Sequence, residues 1–361
     1  MINFQQVKID LAFETWINRD SSKLAFSRQE LFQVFLKLWL TKRFDNEALT
    51  GIGRYQNVDS RFYHICKNLV SKKILFGFNK TTKGYSFFIK NSSKTFTLEQ
   101  LACAIYPYGY LSFLSAMNIY QLSEVKSSAI YYVTYERAQW KQIAIKDFIQ
   151  NFKEIGINFK DSLERFDYLK EEDPELYKEY FTFRQPVFTD EDEYQRYSYQ
   201  ATIPAYPIED PFHELFESKD FSKNLIIHTR KKLDEYEWWA NVRVQNITAL
   251  LIDMMRYPQY CGGFSHVLEV YKKHFSQYQE DLINHLHEEG TLIDKARFGF
   301  VLERCLKLDL DILEIWKLEQ LNKRGGSRKL VSTLEFDSVF DPHWNISINH
   351  DEAKKYLPKT G

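Results

Sequence analysis

Residues 57–90 read NVDSRFYHICKNLVSKKILFGFNKTTKGYSFFIK, and two periodicities meet inside them. In the first half Phe62, Ile65, Cys66 and Leu69 recur at helical spacing, with Asn57 or Asp59 placed to cap the helix start. At about 100° per residue, that stripe leaves Ser60, His64, Lys67 and Ser71 facing outward, with Arg61, Tyr63 and Asn68 on the flanks. In the second half the pattern alternates, over Ile74–Phe78 and Tyr85–Lys90. The residues between, Asn79-Lys80-Thr81-Thr82-Lys83-Gly84, make a hairpin with a basic tip.

Working upstream, Ser27-Arg28-Gln29-Glu30 fits a capping box. Leu31, Phe32, Phe35, Leu36 and Leu38–Leu40 follow it as the apolar face of a helix ending near Arg43. A short second helix is expected from Asp45 or Asn46 to Gly51-Ile52-Gly53. Three helices and a basic hairpin are the order of a winged helix-turn-helix, whose third helix enters the major groove while the wing touches backbone or minor groove. On that reading Arg54, Lys67, Lys72, Lys80 and Lys83 meet phosphates. Arg61, His64 and Asn68 reach base edges, and Ser60 completes the outward DNA-binding face. The alternative is a winged helix that binds protein, its lysines merely solvated.

Charge separates the two readings. Residues 1–95 hold sixteen Lys/Arg against seven Asp/Glu, a balance of +9, whereas the whole chain is −1. The remainder therefore carries −10, which describes a basic module for a polyanion joined to a larger acidic part. Residues 161–220 alone carry a balance of −11, with seventeen Asp/Glu and six Lys/Arg. That stretch reads as solvated helix and loop, or as a surface for a basic partner, or as one that keeps the C-terminal half off DNA.

With 361 residues the chain has room for two or three domains, and its 16% aromatic content predicts cores built on large rings. The expected fold class is α+β: a winged helix at 1–95, a linking α/β unit at 96–150, and a mixed α/β domain at 151–361. In the linking unit a helix follows Thr97, another runs from about Phe113 to Tyr120, and a strand covers Ala129–Thr134. No apolar run reaches the roughly 18 residues of a membrane span; LFQVFLKLWL is interrupted by Lys37. The opening MINFQQVKID lacks the order of a signal peptide. Cys66, Cys103, Cys261 and Cys305 lie in no metal-ligand spacing. A reduced, cytoplasmic protein without membrane partner or cofactor is the reading.

A family resemblance enters at YPYGYLSFLSAMNIYQL followed by IYYVT (residues 106–122 and 130–134). This stretch resembles AbiEi-type antitoxins of abortive-infection (type IV) toxin–antitoxin systems. Ser115-Ala116-Met117 and Tyr120-Gln121-Leu122 carry the match, with Gln121 where the family usually has Gly. ITALLIDMMRYPQYCGGFSHVLEVY resembles the family's helix, proline and Gly-Gly segment. KARFGFVLERCLKLD matches through Arg297, Gly299, Phe300, Leu302 and Glu303. The closing pattern matches through Gly326-Ser327, Trp344-Asn345 and Asn349. Asn246-Ile247-Thr248 stands where the family usually carries Glu-Arg. The resemblance implies a DNA-binding antitoxin and transcriptional autorepressor in phage defence. It implies binding to operator repeats in double-stranded DNA and a cognate nucleotidyltransferase-like toxin, counteracted with or without a stable complex. A stand-alone winged-helix regulator is the alternative.

Catalytic constellations are thin. Gly325-Gly326-Ser327 with Asp337 and Asp341 has the outline of a nucleotidyltransferase, but the acids stand four apart rather than two apart on one strand face. His285 and His287 diverge by about 200° on a helix, which is poor chelation. Ser112 and Ser115 lack His and Asp partners at telling positions, and Gly262-Gly263 lacks a phosphate loop's lysine. Trp238-Trp239 reads as core packing.

Overall fold

The computed structural model describes residues 7–19, 23–45, 47–52, 58–81, 84–91, 97–154, 224–321 and 328–357. The acidic stretch 161–220, Arg54, Lys83 and Gly325-Gly326-Ser327 lie outside the described residues. The fold is α+β, in two compact units: residues 1–108, 134–223 and 229–231, and residues 109–133, 224–228 and 232–361. The expected boundaries at 95/96 and 150/151 fall elsewhere. Residues 97–108 and 134–154 go with the first unit and 109–133 with the second.

The first unit begins with β1 (Val7–Lys8) and α1 (Ile9–Arg19), then β2 (Ala25–Ser27) and α2 (Arg28–Thr41). Ser27 Oγ accepts from Glu30 N at 3.1 Å, which starts α2, while the Glu30 carboxylate pairs with Lys23. The expected second helix is instead a hairpin, β3 (Arg43–Phe44) and β4 (Glu47–Thr50), with β4 also parallel to β1. Lys42 and Asp45 take left-handed backbone, φ 51° and 48°, and stop any helix there. Next come α3 (Val58–Ser71), β5 (Leu75–Thr81) and β6 (Gly84–Lys90).

Sheet order β2-β6-β5 ties this last hairpin to the start of α2. Its ladder runs to Lys80↔Tyr85 and Thr81↔Gly84, so Lys80 belongs to a strand and not to the tip. Phe62 of α3 is the centre of the core, with Phe32 edge-on at 5.2 Å and Phe13 at 6.3 Å. Then α4 (Leu98–Ile105) starts on a Thr97–Gln100 capping box, and Phe148 and Phe152 of α6 (Arg137–Lys153) join the same core.

The second unit holds β7 (Gly109–Leu111), most of β8 (Ile130–Tyr135) and of β9 (Leu225–Arg230), β10 (Tyr236–Trp239) and β11 (Val242–Gln245), in the order β10-β11-β7-β8-β9. Its helices are α5 (Phe113–Ile119), α7 (Ile247–Arg256), α8 (Phe264–Glu288), α9 (Leu292–Phe300), α10 (Asp311–Gln320) and α11 (Asp351–Lys354). Before α11 comes a small antiparallel pair, β12 (Phe340–Asp341) with β13 (Ile346–Ser347). Asn246 caps α7 by accepting from Thr248 N at 3.0 Å, so its side chain has a local use where the family pattern has Glu-Arg.

Trp238 and Trp239 are not core residues. They stand on the edge strand β10 at 62% and 42% exposure. Ala240 and Asn241, both at positive φ, close a two-residue turn that fixes the register Trp239↔Val242.

Candidate nucleic-acid interface

α3 carries the expected face. Phe62, Ile65, Cys66 and Leu69 are at most 4% exposed, and Ser60, His64, Lys67, Asn68 and Ser71 are exposed. The helix starts at Val58, so the capping position falls at residue 57, outside the described residues. His64 meets the Tyr63 ring edge-on at 5.6 Å, and Asn68 lies one turn on, beside Ser71.

The cations of the module sort into two groups. Arg19 pairs with Asp45, Lys23 with Glu30, Arg61 with Asp10, and Lys72 with Glu14 at 3.0 Å. Among the described residues the Lys67 and Lys80 ammonium groups make no ion pair or hydrogen bond. Arg61, with its side chain 16% exposed, is turned onto α1 instead of outward. Lys72 stays about half exposed, and an exposed pair of this kind holds its lysine by only about 0–1 kcal/mol. Lys72 therefore remains available to a phosphate. Arg61 does not reach out without breaking its pair.

Lys67 and Lys80 border one cleft of about 80 Å³ between α3 and the hairpin, with Tyr63 and Tyr85 as walls and Arg28 beside them. Arg28 is 5% exposed, and its guanidinium draws the Cys66 thiol down while burial pushes that thiol far above its ordinary value. Gly84 shapes the cleft rim. It has φ +111°, and a Cβ there would stand 3.2 Å from the Tyr63 ring. Arg28, Tyr63 and Tyr85 are cleft residues that sequence reasoning missed. Arg28 reads in sequence only as a member of a capping box, and the tyrosines as flank and strand positions.

The carboxylates considered for catalysis have local employment. Asp341, 2% exposed, accepts from His343 N and Trp344 N at 2.9 and 3.1 Å and pairs with Arg304 at 3.2 Å. Asp337 accepts from Val339 N at 2.9 Å and pairs with Lys354 at 2.8 Å. His285 and His287 are on α8, and among the described residues no cluster of three His, Cys, Asp or Glu is placed to hold a metal ion. No described helix is long and apolar enough to cross a membrane.

The C-terminal residues that carry the family resemblance do structural work. A Cβ on Gly299 would lie 2.0 Å from the Trp344 ring, and Trp344 Nε1 donates to Glu303 at 2.8 Å. Asn349 exchanges hydrogen bonds with both backbone groups of Val331 at 2.9 Å. Arg297 Nε donates to Lys329 O at 3.0 Å. No protein-family model matches this chain, and a search of curated proteins likewise finds no match.

Proposed function

We propose that this chain is a DNA-binding antitoxin and transcriptional autorepressor of a type IV abortive-infection toxin–antitoxin operon, acting in the cytoplasm without catalysis of its own. The first unit is read as a winged helix-turn-helix in which α1, α2 and α3 are the three helices and β5–β6 the wing. The observation that carries the DNA reading is the exposed polar face of α3, with its free Lys67 adjoining the free Lys80 of the hairpin. That arrangement suits a helix in the major groove flanked by a strand pair on the phosphates. The +9 balance of residues 1–95 supports the same partner. The antitoxin part rests on the AbiEi-type resemblance, and with it the operator repeats and the nucleotidyltransferase-like toxin.

The test is fluorescence anisotropy with labelled DNA from upstream of the chain's own gene, titrated over a range of salt against a scrambled competitor. Tight binding that prefers the native sequence and weakens linearly in log salt is the expected result. No binding at low salt overturns the DNA reading and leaves a protein-contact module. Co-expression with a neighbouring nucleotidyltransferase gene tests the antitoxin part; growth arrest unrelieved by this chain rejects it.

A further inference from the structure

We propose that β10 is the contact strand of a two-fold dimer, pairing antiparallel with β10 of a second copy of this chain. β10 is the outer strand of its sheet, and among the described residues β11 alone pairs with it. Its backbone alternates in direction. Glu235 O accepts from Asn246 N at 2.9 Å, so Glu235, Glu237 and Trp239 turn their polar groups toward β11. The N–H and C=O groups of Tyr236 and Trp238 therefore point off the sheet edge, where they are a template for another strand. The same two residues carry rings 46% and 62% exposed, and Trp239 adds a third at 42%. No proline, lysine or bulge guards this edge.

Charge selects the occupant and its register. A two-fold pairing must set outward residues opposite outward residues, which leaves three registers within β10. With Tyr236 opposite the partner's Tyr236, Glu235 faces the partner's Glu237. With Tyr236 opposite the partner's Trp238, the two Glu237 side chains face each other. Like charges directly opposite are destabilising. The third register sets Trp238 opposite the partner's Trp238 and Glu237 opposite the partner's Trp239. It puts no acid against an acid and pairs two exposed indoles across the axis. It also brings a second indole N–H to the Glu237 carboxylate, which already lies 3.4 Å from Nε1 of its own Trp239. The strand is thus complementary to itself, as a two-fold interface requires.

Area sets the strength. An aromatic side chain buries about 150–250 Å² in full, so at these exposures the three rings of one copy leave about 300 Å² open. Two copies then cover about 600 Å² of ring surface, below the roughly 1,200 Å² of a stable complex, and the dimer is one that dissociates on dilution. The contact is made by the second unit alone and stands apart from the DNA reading, so the failure of either leaves the other in place.

Sedimentation velocity of the full chain across a series of protein concentrations tests the pairing. The expected result is a reversible monomer–dimer equilibrium, weakened at least tenfold by Trp238→Lys, which sets two like charges opposite each other, and kept by Trp238→Phe. Leu318→Lys, on the exposed face of α10, leaves it unchanged. A monomer at every concentration overturns the proposal, as does a dimer that survives Trp238→Lys or is lost in Leu318→Lys. Matched thermal unfolding midpoints of dilute samples show that the variants remain folded.

Hydrogen exchange at single-residue resolution then reads the backbone. In the dimer the Trp238 amide slows as concentration rises, while that of Glu237, already turned toward β11, does not change. A Trp238 amide indifferent to concentration means contact without strand pairing and overturns the proposal. Glu237→Gln tests the register. The dimer weakens with the carboxylate gone; a tighter dimer means that two acids face each other and overturns the register.

Discussion

Arg61 and Lys67 lie on the same helix and have opposite commitments. Arg61 is tied to Asp10 across two helices, so Arg61→Ala should cost the first unit about 0.5–1 kcal/mol, read from denaturant midpoints. Lys67→Ala removes only a solvated charge and should leave that midpoint in place. It should instead weaken DNA binding alike on all sequences. His64→Ala and Asn68→Ala should change base preference, by about 1–3 kcal/mol per lost contact in competition assays with altered sites. Equal effects of all four substitutions on every sequence would reject a groove-facing α3.

Gln121 shows how a family signal can be backbone physics. It follows α5 at φ 58°, the left-handed region. Its N–H donates to Asn118 O at 3.2 Å, and Leu122 N–H donates to Met117 O at 2.9 Å. These are the two hydrogen bonds of a Schellman C-cap, and the buried Leu122 and Met117 supply its hydrophobic closure. A glycine occupies that position without the Cβ clash, so Gln121→Gly should stabilise the second unit by about 1 kcal/mol. A lower unfolding midpoint would mean that the Gln121 side chain has a contact worth more than its strain. At this scale the pattern was legible and its physical meaning was not. Gly299, Trp344 and Asn349 read as a pattern in sequence, but only the fold shows a ring lying on a glycine and an amide bridging a backbone.

Among the elements, α3 was legible because its stripe, its polar face and the following hairpin all agree. α1 has an equally regular stripe in Ile9, Ala12, Phe13 and Ile17, all fully buried, but it follows β1 directly with no cap to mark its start. The segment after α2 misled for the converse reason. Asp45 and Asn46 are good cap residues, yet the stretch before Gly51 is too short to pay helix nucleation, and pairing with β1 gives its backbone partners instead. Trp238-Trp239 was misplaced because hydrophobicity does not distinguish a central strand from an edge. The consequence is measurable. Phe62→Ala, among the rings of Phe13, Phe32 and Phe35, should cost about 3–5 kcal/mol. Trp238→Ala should cost about 1 kcal/mol or less, since this exposed ring gives up mainly the Arg243 guanidinium at 5.3 Å and the edge of Tyr236 at 6.2 Å. Comparable losses in urea unfolding would mean that β10 is covered in solution.

For the whole molecule, the uneven charge of the chain was visible in composition, but the internal pairing of charge was not. In the second unit it governs the response to acid. Burial would raise the Asp294 carboxyl, but the Arg256 guanidinium, at 2.9 and 2.7 Å, and the Thr291 hydroxyl bring it below its ordinary value. Glu303 follows the same course, burial opposed and outweighed by Lys317 at 2.6 Å and Trp344 Nε1 at 2.8 Å. A carboxyl whose pKa is lower in the folded state contributes stability above its unfolded value of about 4, and loses it as pH falls through the folded value. Unfolding free energy should therefore hold steady from neutral pH to about 5 and drop below about 4. Asp294→Asn should lower the plateau and flatten the acid limb, because the variant has no carboxyl left to protonate. Glu303→Gln should do the same to a smaller degree, since that side chain is more open to solvent. An acid limb equally steep in both variants would place the titrating groups elsewhere in the chain.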